Sequence, residues 1–370
     1  MNDYTYLKNL QQVYFAVTNK CNLHCGYCYA IEKNQNSKFF SFDMFKKIVD
    51  AIACHASSKH IEIIFHGGEP LLAPPEFFQD CMEYAIKIME TNHKTVDFGI
   101  QSNLTLMTDQ MLSLMERFNM SISTSIDGPE DIHNAARQKW QTTMEWMRKI
   151  KCRGLKVSPI AVCSRHNHRM IGDIFSMFDS LDVRHIQVNI ATSNVSLIPD
   201  SSFTPLSADE IFDVYKDILQ YGLQYHIKEE KMSQMIRHYY GLSVRNLKAL
   251  GCGNPFCHAG STMIVFTPNG KMYPCSPCVS LDAHGQDYSL GTFGDPIVDE
   301  NYFPRLQRFH EKSEHYLSEC QHCQAAKICE FDCPGYDRID KVTRQNKCEA
   351  IKKLYALFDT MDKNRLIEAI

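Results

Sequence analysis

The stretch that decides the fold is Cys21-Asn-Leu-His-Cys25-Gly-Tyr-Cys28, which places three cysteines in the spacing CxxxCxxC. It follows residues 13–18, a short apolar run that predicts a β-strand. Three thiolates so close in sequence can bind three irons of a cubane iron–sulfur cluster and leave the fourth iron without a protein ligand. Half of a zinc site, or a chance group of cysteines, would produce the same spacing, so the rest of the chain has to distinguish these possibilities.

Length, composition and charge set broad limits on the class of protein. The chain has 370 residues, 44% of them apolar, and a net charge of −4. These values suit a large globular protein of two or three domains and give no reason to expect a nucleic-acid or membrane partner. The start, Met1-Asn-Asp-Tyr4, lacks the regions of a signal peptide. Because no apolar run approaches the roughly 20 residues that span a bilayer, we expect a soluble, cytoplasmic protein.

The sixteen cysteines are unevenly distributed along the chain. Three lie in the opening motif, four are scattered, and nine fall between Cys252 and Cys348. A large domain without an export signal is not the usual setting for a disulfide framework, so the clustered thiols indicate metal binding. The scattered cysteines lie in apolar patterns and are expected to be buried side chains. They are Cys54, Cys81, Cys152 and Cys163.

Strand-like and helix-like stretches alternate between residues 13 and 190. Strands are predicted over residues 13–18, 61–65, 96–101, 121–126, 156–162 and 185–190. Ser41 and Thr108 are each expected to be the N-cap of a helix. Further helices are predicted over residues 74–90, 133–151 and 167–180. Regular βα alternation favours a parallel sheet with right-handed crossover connections.

The cysteine spacing, with the aromatic Tyr27 before the last cysteine, resembles the signature of the radical S-adenosylmethionine (SAM) enzymes. The resemblance implies an α/β fold with a partial (β/α)6 TIM-like radical SAM barrel and chemistry at the carboxyl ends of its strands. In that family the open iron of a [4Fe–4S] cluster chelates SAM. One electron then cleaves SAM to a 5′-deoxyadenosyl radical, which abstracts a hydrogen atom from the substrate. Cys21, Cys25 and Cys28 would be the cluster ligands.

Two stretches that follow predicted strands resemble SAM-binding elements of the family. His66-Gly67-Gly68-Glu69-Pro70 resembles the GGEP-type motif, which binds the SAM amino group through backbone carbonyls and a carboxylate. A turn that ends in a proline would look the same in isolation. Gln101-Ser102-Asn103-Leu104-Thr105 resembles the QTNGT element of the next structural repeat.

A third stretch, Ser125-Ile126-Asp127-Gly128-Pro129 followed by His133 and Arg137, resembles the SxDGP…H…R pattern of the same subfamily. By this resemblance Ser125 contacts the ribose, Arg137 lies near the SAM carboxylate, and Tyr27 and Ile190 touch the adenine. Asn and Ser are also common turn residues, so the assignments depend on the combination of motifs. The implied SAM-binding residues are Tyr27, Gly67, Gly68, Glu69, Pro70, Ser102, Asn103, Ser125, Arg137 and Ile190.

The C-terminal part follows a helical stretch over residues 207–250 and is rich in cysteine, glycine and proline. Its order CxxC-x5-CxxxC-gap-C resembles the SPASM extension, which binds two auxiliary [4Fe–4S] clusters. Paired CxxC knuckles are also typical of zinc ribbons, which is the alternative interpretation. The resemblance implies an inner cluster held by Cys252, Cys257, Cys275 and Cys333. It implies an outer cluster held by Cys320, Cys323, Cys329 and Cys348.

Nine cysteines for two closed clusters leave one to spare. Cys278 is the candidate, because Cys252 fits the extra upstream ligand of fully ligated SPASM members. If Cys252 does not bind, the inner cluster would have an open iron that could bind a substrate thiol or amide. The predicted regions are a radical SAM barrel (1–206), a helical bridge (207–250), a SPASM domain (251–348) and a C-terminal helix (349–370).

SPASM proteins of this kind are mostly peptide and protein modifiers, and two branches are relevant. The anaerobic sulfatase-maturating enzymes oxidise a cysteine or serine to formylglycine, and they carry an aspartate after the YPC cysteine as a proposed general base. Here Tyr273-Pro-Cys275 is followed by Ser276, and a serine is not a base near neutral pH without activation. The other branch matures ribosomally made peptides (RiPPs) through thioether or carbon–carbon crosslinks.

We expect oxidative crosslinking of a ribosomally made peptide, with no general base identified. Only 20 residues precede Cys21, too few for a leader-binding winged helix, so a separate leader-recognition protein or the barrel itself would bind the leader. The expected partners are the peptide or protein substrate and a reductant such as flavodoxin or ferredoxin. The alternatives are formylglycine formation, a small-molecule SPASM dehydrogenase, and a cluster-bearing electron carrier without SAM-dependent activity.

Overall fold

The structure is a computed structural model, and it describes residues 3–28, 37–191, 204–242, 257–283, 287–320, 322–329 and 341–370. Two predicted cluster ligands, Cys252 and Cys333, lie outside the described residues. The described part is an α/β protein whose strands join in one mostly parallel sheet. This sheet places the functional loops at one edge of the molecule.

Six parallel strands form the centre of the sheet and lie side by side in chain order. They are Gln12–Thr18 (β1), His60–Gly67 (β2), Thr95–Ser102 (β3), Ser121–Ser125 (β4), Val157–Cys163 (β5) and His185–Ile190 (β6). All six were predicted from the apolar pattern, which confirms the parallel βα architecture expected from the sequence.

The two faces of these strands differ in polarity. Phe15, Phe65 and Ile100 lie opposite one another on β1, β2 and β3, and all three are buried. They share the face that the helices cover. The alternate positions, among them Tyr14 and Gln101, point to the opposite face and are half-buried. The barrel therefore has an apolar outer layer and a polar lumen.

Six helices connect and cover the central strands. They are Phe42–His55 (α1), Pro75–Thr91 (α2), Asp109–Arg117 (α3), Glu130–Ala136 (α4), Trp140–Cys152 (α5) and Ile171–Ser180 (α6). The two predicted N-caps are confirmed, since the Ser41 hydroxyl accepts from the N–H of Met44 and the Thr108 hydroxyl accepts from that of Met111. Each cap satisfies a backbone donor that the first helical turn leaves unpaired.

Two predicted helices have different bounds in the structure. The single helix expected over 133–151 was wrong, because the chain breaks between α4 and α5, where Gln138 and Lys139 adopt positive φ angles of 76° and 63°. The Asn134 side chain accepts the N–H of Trp140 across this break. The helix expected from residue 167 begins later, at α6, because the preceding residues form a hydrogen-bonded turn.

The stretch predicted as helical over 207–250 contains two helices and a short strand in its described part. They are Ala208–Tyr225 (α7), Lys228–Glu229 (β7) and Glu230–Tyr239 (α8). A reciprocal capping box between Ser207 and Glu210 starts α7, and β7 pairs with the beginning of β6. Helix α7 buries an apolar stripe that consists of Ile211, Val214, Ile218 and Leu219.

The C-terminal part extends the same sheet. Its strands are Met263–Phe266 (β8), Lys271–Tyr273 (β9) and Gly291–Thr292 (β10). β8 pairs in parallel with β1, and β9 and β10 add to it in antiparallel fashion, which gives the order β10-β9-β8-β1-β2-β3-β4-β5-β6-β7. The hairpin thus covers the edge of β1, which would otherwise present unpaired backbone groups.

The helices of the C-terminal part depart most from prediction. They are Ser276–Ala283 (α9), Val298–Cys320 (α10), Lys341–Thr360 (α11) and Lys363–Ile367 (α12). Helix α10 was not predicted, although Val298, Tyr302, Leu306 and Phe309 form a buried stripe at helical spacing. The C-terminal helix predicted over residues 349–370 is in fact parts of two helices, with Asp362 as the N-cap of the second.

The N-terminal segment joins the barrel to the C-terminal part. The Asp299 carboxylate, at the start of α10, accepts backbone N–H groups of Asp3, Tyr4 and Thr5 at 3.0–3.2 Å. The Tyr6 ring stacks on Tyr302 with centroids 4.8 Å apart. Among the described residues, no helix is both long and apolar enough to cross a membrane.

Candidate active site

The CxxxCxxC loop follows β1 at the carboxyl edge of the sheet. The N–H of Cys28 bonds to the carbonyl of Cys25 (3.1 Å), and the N–H of Gly26 bonds to the carbonyl of Ala136 at the end of α4 (3.0 Å). The Cys25 side chain is buried, and those of Cys21 and Cys28 are half-buried. Helix α4 therefore holds the cysteine loop against the barrel.

Burial decides the protonation of these thiols. Loss of solvent raises the pKa of Cys21 to about 12 and that of Cys25 to about 11, and the charges of the neighbouring cysteines add to both shifts. Arg137 opposes the shift at Cys25, because its guanidinium Nη1 lies 4.0 Å from the Cys25 sulfur. Both thiols therefore bind their protons at neutral pH, and a metal that binds them has to displace those protons.

The donor set fits an iron–sulfur cluster better than a single ion. Within the described ranges, no three His, Cys, Asp or Glu side chains are placed to share one metal ion. In a cubane each thiolate binds its own iron, so its ligands need not converge on one point. The Cys25 and Cys28 sulfurs interact electrostatically with the Cys21 sulfur, and the Asn103 amide nitrogen lies 4.0 Å from the Cys21 sulfur. These features suit a three-thiolate cluster site.

The two glycines of the GGEP-type motif allow close packing on the cysteine loop. Gly67 has a φ of 131°, and a Cβ added there would lie 2.3 Å from the carbonyl oxygen of Thr18. A Cβ on Gly68 would lie 2.2 Å from the carbonyl oxygen of Lys20. The N–H groups of Gly68 and Glu69 bond to the carbonyls of Thr18 and Lys20, both at 2.8 Å. The end of β2 is therefore fixed directly to the segment that precedes Cys21.

Glu69 links the ends of β2 and β3. Its carboxylate accepts from the N–H of Leu71 (2.9 Å), the hydroxyl of Ser102 (2.7 Å) and the N–H of Asn103 (2.9 Å). Burial raises the pKa of Glu69 to about 7, although all three donors act to lower it. Pro70, the next residue, is buried at the first position of a short 3₁₀ turn. Glu69 therefore organises the site through protein contacts as well as through any contact with SAM.

Asn103 extends this connection to the cysteine loop. Its side-chain amide donates to the Asn22 side chain (3.0 Å), and its oxygen accepts from the N–H and the hydroxyl of Thr105 (2.9 and 2.7 Å). Asn22 in turn donates to the Thr105 hydroxyl (2.7 Å). The residue after Cys21 is thus tied to the loop after β3.

Asp127, for which the sequence predicted no separate role, organises the other side of the site. Its carboxylate is fully buried and accepts from the Tyr27 hydroxyl, Nε of Arg137 (3.0 Å) and the N–H of Val162 (2.9 Å). The Arg137 guanidinium lies over the Tyr27 ring, 5.0 Å from its centroid. The sequence feature that could have indicated this ion pair is an aspartate just after a strand, Asp127, followed by Arg137 after one short helix.

His133 fixes the loop that carries these groups. Its Nδ1 accepts from the N–H of Asp127 (3.4 Å), and its Nε2 lies 3.1 Å from the carbonyl of Gln138, which assigns the proton to Nε2. Burial lowers the pKa of His133, so the ring is neutral at physiological pH. His133, which the motif predicted, thus fixes the backbone next to both Asp127 and Arg137.

Ser125 and Ile190 lie at the same edge as the cysteine loop, each as the last residue of its strand. Ser125 is half-buried and faces the lumen, opposite Ile160 of β5. Ile190 lies opposite Cys163 and packs partly against the core. Their contacts with ribose and adenine stay predictions.

His66 is a lumen residue whose role the sequence did not indicate. Its ring is buried, lies 6.0 Å from the Tyr14 ring and hydrogen-bonds with Gln101. Burial lowers the pKa of His66 to about 4, so the ring is neutral. Together with Ser123 on β4, these side chains give the lumen neutral hydrogen-bonding groups.

Six of the predicted auxiliary-cluster cysteines are described, and the side chains of all six are half-buried. They are Cys257, Cys275, Cys320, Cys323, Cys329 and Cys348. Cys278, predicted as the spare cysteine, is buried with its sulfur 3.4 Å from that of Cys275. Cys252 and Cys333 lie outside the described residues, so the ligand sets stay predictions.

Two family models match the chain. The Radical SAM superfamily model matches residues 15–178, which include the cysteine loop and strands β2 to β5. The model of the SPASM iron–sulfur cluster-binding domain matches residues 257–324. This second match favours iron–sulfur clusters over the zinc-ribbon alternative in the C-terminal part.

Curated proteins and solved structures resemble the chain over most of its length. It is 25% identical over 350 residues to the serine-type anaerobic sulfatase-maturating enzyme of Bacteroides thetaiotaomicron, covering 85% of this chain and 80% of the relative. It is 21% identical over 381 residues to the radical SAM cyclopropyl synthase TigE of Paramaledivibacter caminithermalis, covering 96% and 71%. A structure of anSMEcpe with bound AdoMet and the Kp18Cys peptide has a TM-score of 0.77 at 19% identity, covering 95% of this chain and 97% of that one.

These similarities agree with the site geometry. The structural likeness supports the predicted partial barrel, and the two family models supply the domains. A Radical SAM domain carries a [4Fe–4S] cluster and SAM, and a SPASM domain carries additional iron–sulfur clusters. The chain therefore carries a Radical SAM domain, matched over residues 15–178, and a C-terminal SPASM domain, matched over residues 257–324.

Proposed function

We propose that the chain matures a ribosomally made peptide by forming an oxidative thioether or carbon–carbon crosslink. The observation that carries the proposal is the polar lumen beside the cysteine loop, lined by Tyr14, His66, Gln101 and Ser123. Neutral donors and acceptors of this kind can bind the amide groups of a peptide without demanding a charged side chain. The names of two similar proteins agree, since one is a cyclopropyl synthase and one was solved with a bound peptide.

The barrel residues would divide the work as follows. Cys21, Cys25 and Cys28 hold the cluster, which with SAM supplies reductive cleavage to a 5′-deoxyadenosyl radical. The Arg137 guanidinium, fixed by Asp127, offers a cation for the SAM carboxylate next to Cys25. The remaining proposed SAM contacts are Tyr27, Gly67, Gly68, Glu69, Pro70, Ser102, Asn103, Ser125 and Ile190.

The C-terminal cysteines would hold two auxiliary clusters that accept the electron lost when the crosslink closes. Cys252, Cys257, Cys275 and Cys333 are the proposed ligands of the inner cluster. Cys320, Cys323, Cys329 and Cys348 are those of the outer cluster. A flavodoxin or ferredoxin would supply the reducing electron, and a separate protein or the barrel would bind a leader sequence.

Formylglycine formation is the second candidate, favoured by the similarity to the Bacteroides thetaiotaomicron sulfatase-maturating enzyme. Ser276 counts against this candidate, because the residue directly after Cys275 is a serine and not an aspartate. The nearest carboxylate on the same helix, that of Asp282, accepts from the Tyr273 hydroxyl (2.8 Å) and the Lys271 amine (3.1 Å). A carboxylate bound in this way is a weaker base than a free one.

High-resolution mass spectrometry tests the two candidates together. A short peptide encoded beside the gene is co-expressed anaerobically with the chain or with Cys21→Ala, and a sulfatase-derived peptide is treated in parallel. Crosslinking predicts loss of two hydrogens only with intact Cys21, no reaction with a hydrazine, and fragment ions missing between the joined residues. A hydrazine-reactive aldehyde in the sulfatase peptide would instead establish formylglycine formation. Unchanged masses in all neighbouring peptides, without deuterium uptake, would contradict peptide maturation.

A further inference from the structure

Arg137 contacts a proposed ligand of the SAM-binding cluster as well as its ion-pair partner. Its Nη1 donates a long hydrogen bond to the Cys25 sulfur (4.0 Å), while its Nε donates to the Asp127 carboxylate (3.0 Å). The Arg137 side chain is 11% exposed, and that of Asp127 is fully buried. A guanidinium, which keeps its charge at any physiological pH, is therefore buried between a carboxylate and a cysteine sulfur.

Backbone and side-chain contacts hold the guanidinium at this place. The N–H of Gly26, within the cysteine loop, bonds to the carbonyl of Ala136, the residue before Arg137, at 3.0 Å. The guanidinium lies over the Tyr27 ring, 5.0 Å from its centroid. The Tyr27 hydroxyl donates to the same carboxylate oxygen that binds Arg137. These protein contacts fix the cation beside the cysteine loop.

The ion pair directs its positive end towards the cysteine loop. Asp127 binds Nε of the guanidinium, whereas Nη1 faces the Cys25 sulfur. The electrostatic effect of Arg137 on Cys25 accordingly exceeds the opposing effect of Asp127. Charges interact strongly over such distances where water is excluded. A cluster bound by Cys25 would therefore receive a net positive electrostatic contribution from this pair.

We propose that Arg137 raises the reduction potential of the SAM-binding cluster by donating an N–H···S hydrogen bond to the Cys25 ligand, and that Asp127 is the residue that positions it. The inference rests on the ligand role proposed above for Cys25. Reduction adds one electron to the cluster, and a nearby cation and a donated hydrogen bond both stabilise the more negative, reduced form. Arg137 would thus ease the transfer of an electron from the reductant, in addition to binding the SAM carboxylate.

The test uses the full-length chain, reconstituted anaerobically and measured without SAM or peptide, so it does not depend on the proposed crosslinking reaction. Asp127→Asn/Arg137→Met removes the donor and leaves no unpaired charge. Glu116→Gln/Arg153→Met is the matched control, because it makes the same charge changes in an ion pair (2.9 Å) at the amino edge of the sheet, opposite the cysteine loop. Cys25→Ala identifies the cluster, since the EPR signal that it loses belongs to the SAM-binding cluster.

Iron and sulfide content are measured first, and midpoint potentials are then measured by EPR-monitored titration. We expect Asp127→Asn/Arg137→Met to retain its iron and to shift the potential of the cluster identified by Cys25→Ala to a more negative value. The other clusters, and all clusters of the control variant, should keep their wild-type potentials. In wild-type protein labelled with ¹⁵N-arginine, the reduced SAM-binding cluster should show a weak coupling to an arginine nitrogen, which should be lost in Arg137→Lys.

Three results would overturn the inference. An unshifted or more positive potential in Asp127→Asn/Arg137→Met would show that the guanidinium does not stabilise the reduced cluster. Full iron content and an intact set of EPR signals in Cys25→Ala would remove the ligand role on which the inference rests. If the double variant loses its iron or does not fold, the labelled protein decides: an arginine coupling that is absent from the wild type, or retained in Arg137→Lys, contradicts the hydrogen bond, and one lost in Arg137→Lys supports it.

Discussion

Two buried carboxylates stand on opposite sides of the candidate SAM site, and the protein stabilises them in different ways. Glu69 is surrounded by neutral donors, namely two backbone N–H groups and the Ser102 hydroxyl, and burial raises its pKa to about 7. Asp127 binds a guanidinium, with side-chain exposures of 0% and 11% for Asp127 and Arg137. Burial alone would lower the pKa of Arg137, but Asp127 raises it above its usual value.

The difference teaches that the two sides respond to different perturbations. Glu69 can gain a proton within the physiological range, so its contribution to the stability of the protein depends on pH. Asp127 and Arg137 form a buried ion pair, so loss of either residue leaves the charge of the other uncompensated. The predictions below test this contrast, beginning with the largest expected effect.

Asp127→Ala should cause the largest loss. It leaves the Arg137 guanidinium buried without its carboxylate, which costs about 3–5 kcal/mol in comparable buried pairs. It also frees Arg137 from the position beside Cys25, so SAM affinity should fall together with stability. Thermal unfolding and equilibrium binding of SAM to the reconstituted protein measure the two effects.

The double variant Asp127→Asn/Arg137→Met provides the control for this experiment. If the ion pair is the cause, the double variant should be more stable than Asp127→Asn alone, because no unpaired charge remains. Equal stability of the two would show that the hydrogen bonds to Tyr27 and Val162, rather than the charge pair, account for the role of Asp127.

Gly68→Ala should have the next largest effect, on the other side. A Cβ at this position would lie 2.2 Å from the Lys20 carbonyl oxygen, a backbone atom that cannot yield without moving the cysteine loop. We expect a loss of about 3 kcal/mol, the upper end for overpacking, and reduced iron content at the SAM cluster. Gly26→Ala is the matched control, since a Cβ there meets nothing within 4 Å. Equal iron content in the two variants would contradict the proposed packing role.

Glu69→Gln should cost less, about 1–3 kcal/mol, because at least one donor would then face the NH₂ group of the glutamine, which cannot accept a hydrogen bond. The three contacts involve Leu71, Ser102 and Asn103, and a glutamine can keep part of them. SAM affinity is the informative measurement here. A variant that folds with wild-type stability and binds SAM normally would show that the Glu69 carboxylate is needed for neither purpose.

The pH dependence of stability should belong to the Glu69 side. Because the pKa of Glu69 rises from its ordinary value of 4.5 to about 7, the folded protein binds this proton more tightly than the unfolded chain. The contribution of Glu69 to stability is therefore greatest below pH 4.5 and declines as the pH rises to about 7. Thermal unfolding of the wild type and of Glu69→Gln across this range should show the difference between them shrinking, and a constant difference would contradict it.

The sequence indicated much of this barrel in advance, for identifiable reasons. Strands β1 to β6 were predictable because short apolar runs alternate with helical patterns, and the cysteine loop because its ligands are adjacent in sequence. Ser41 and Thr108 were identified as caps because a cap depends on residues only three positions apart. Features of this kind are set by residues that are close in sequence, so they can be predicted without knowing the tertiary contacts.

What the sequence did not reveal depends on contacts between distant residues. The hydrogen bonds of Asp127 to Tyr27 and Val162 span 100 and 35 residues, and no spacing in the sequence predicts them. Helix α10 has a regular apolar stripe, but it lies in a part of the chain rich in cysteine, glycine and proline, a composition that does not indicate a long helix. The addition of β8 to the edge of β1 likewise joins segments that lie far apart along the chain.

Asn22→Ala should have the smallest effect and tests how the Glu69 side reaches the cluster. Asn22 bonds to Asn103 (3.0 Å) and Thr105 (2.7 Å), and Asn103 is also the residue whose N–H binds Glu69. Losing these half-buried bonds should cost about 0.5–1.5 kcal/mol and leave iron content unchanged. If SAM affinity falls in both Asn22→Ala and Glu69→Gln, Glu69 acts through the cysteine loop. If it falls only in Glu69→Gln, the carboxylate acts on SAM itself.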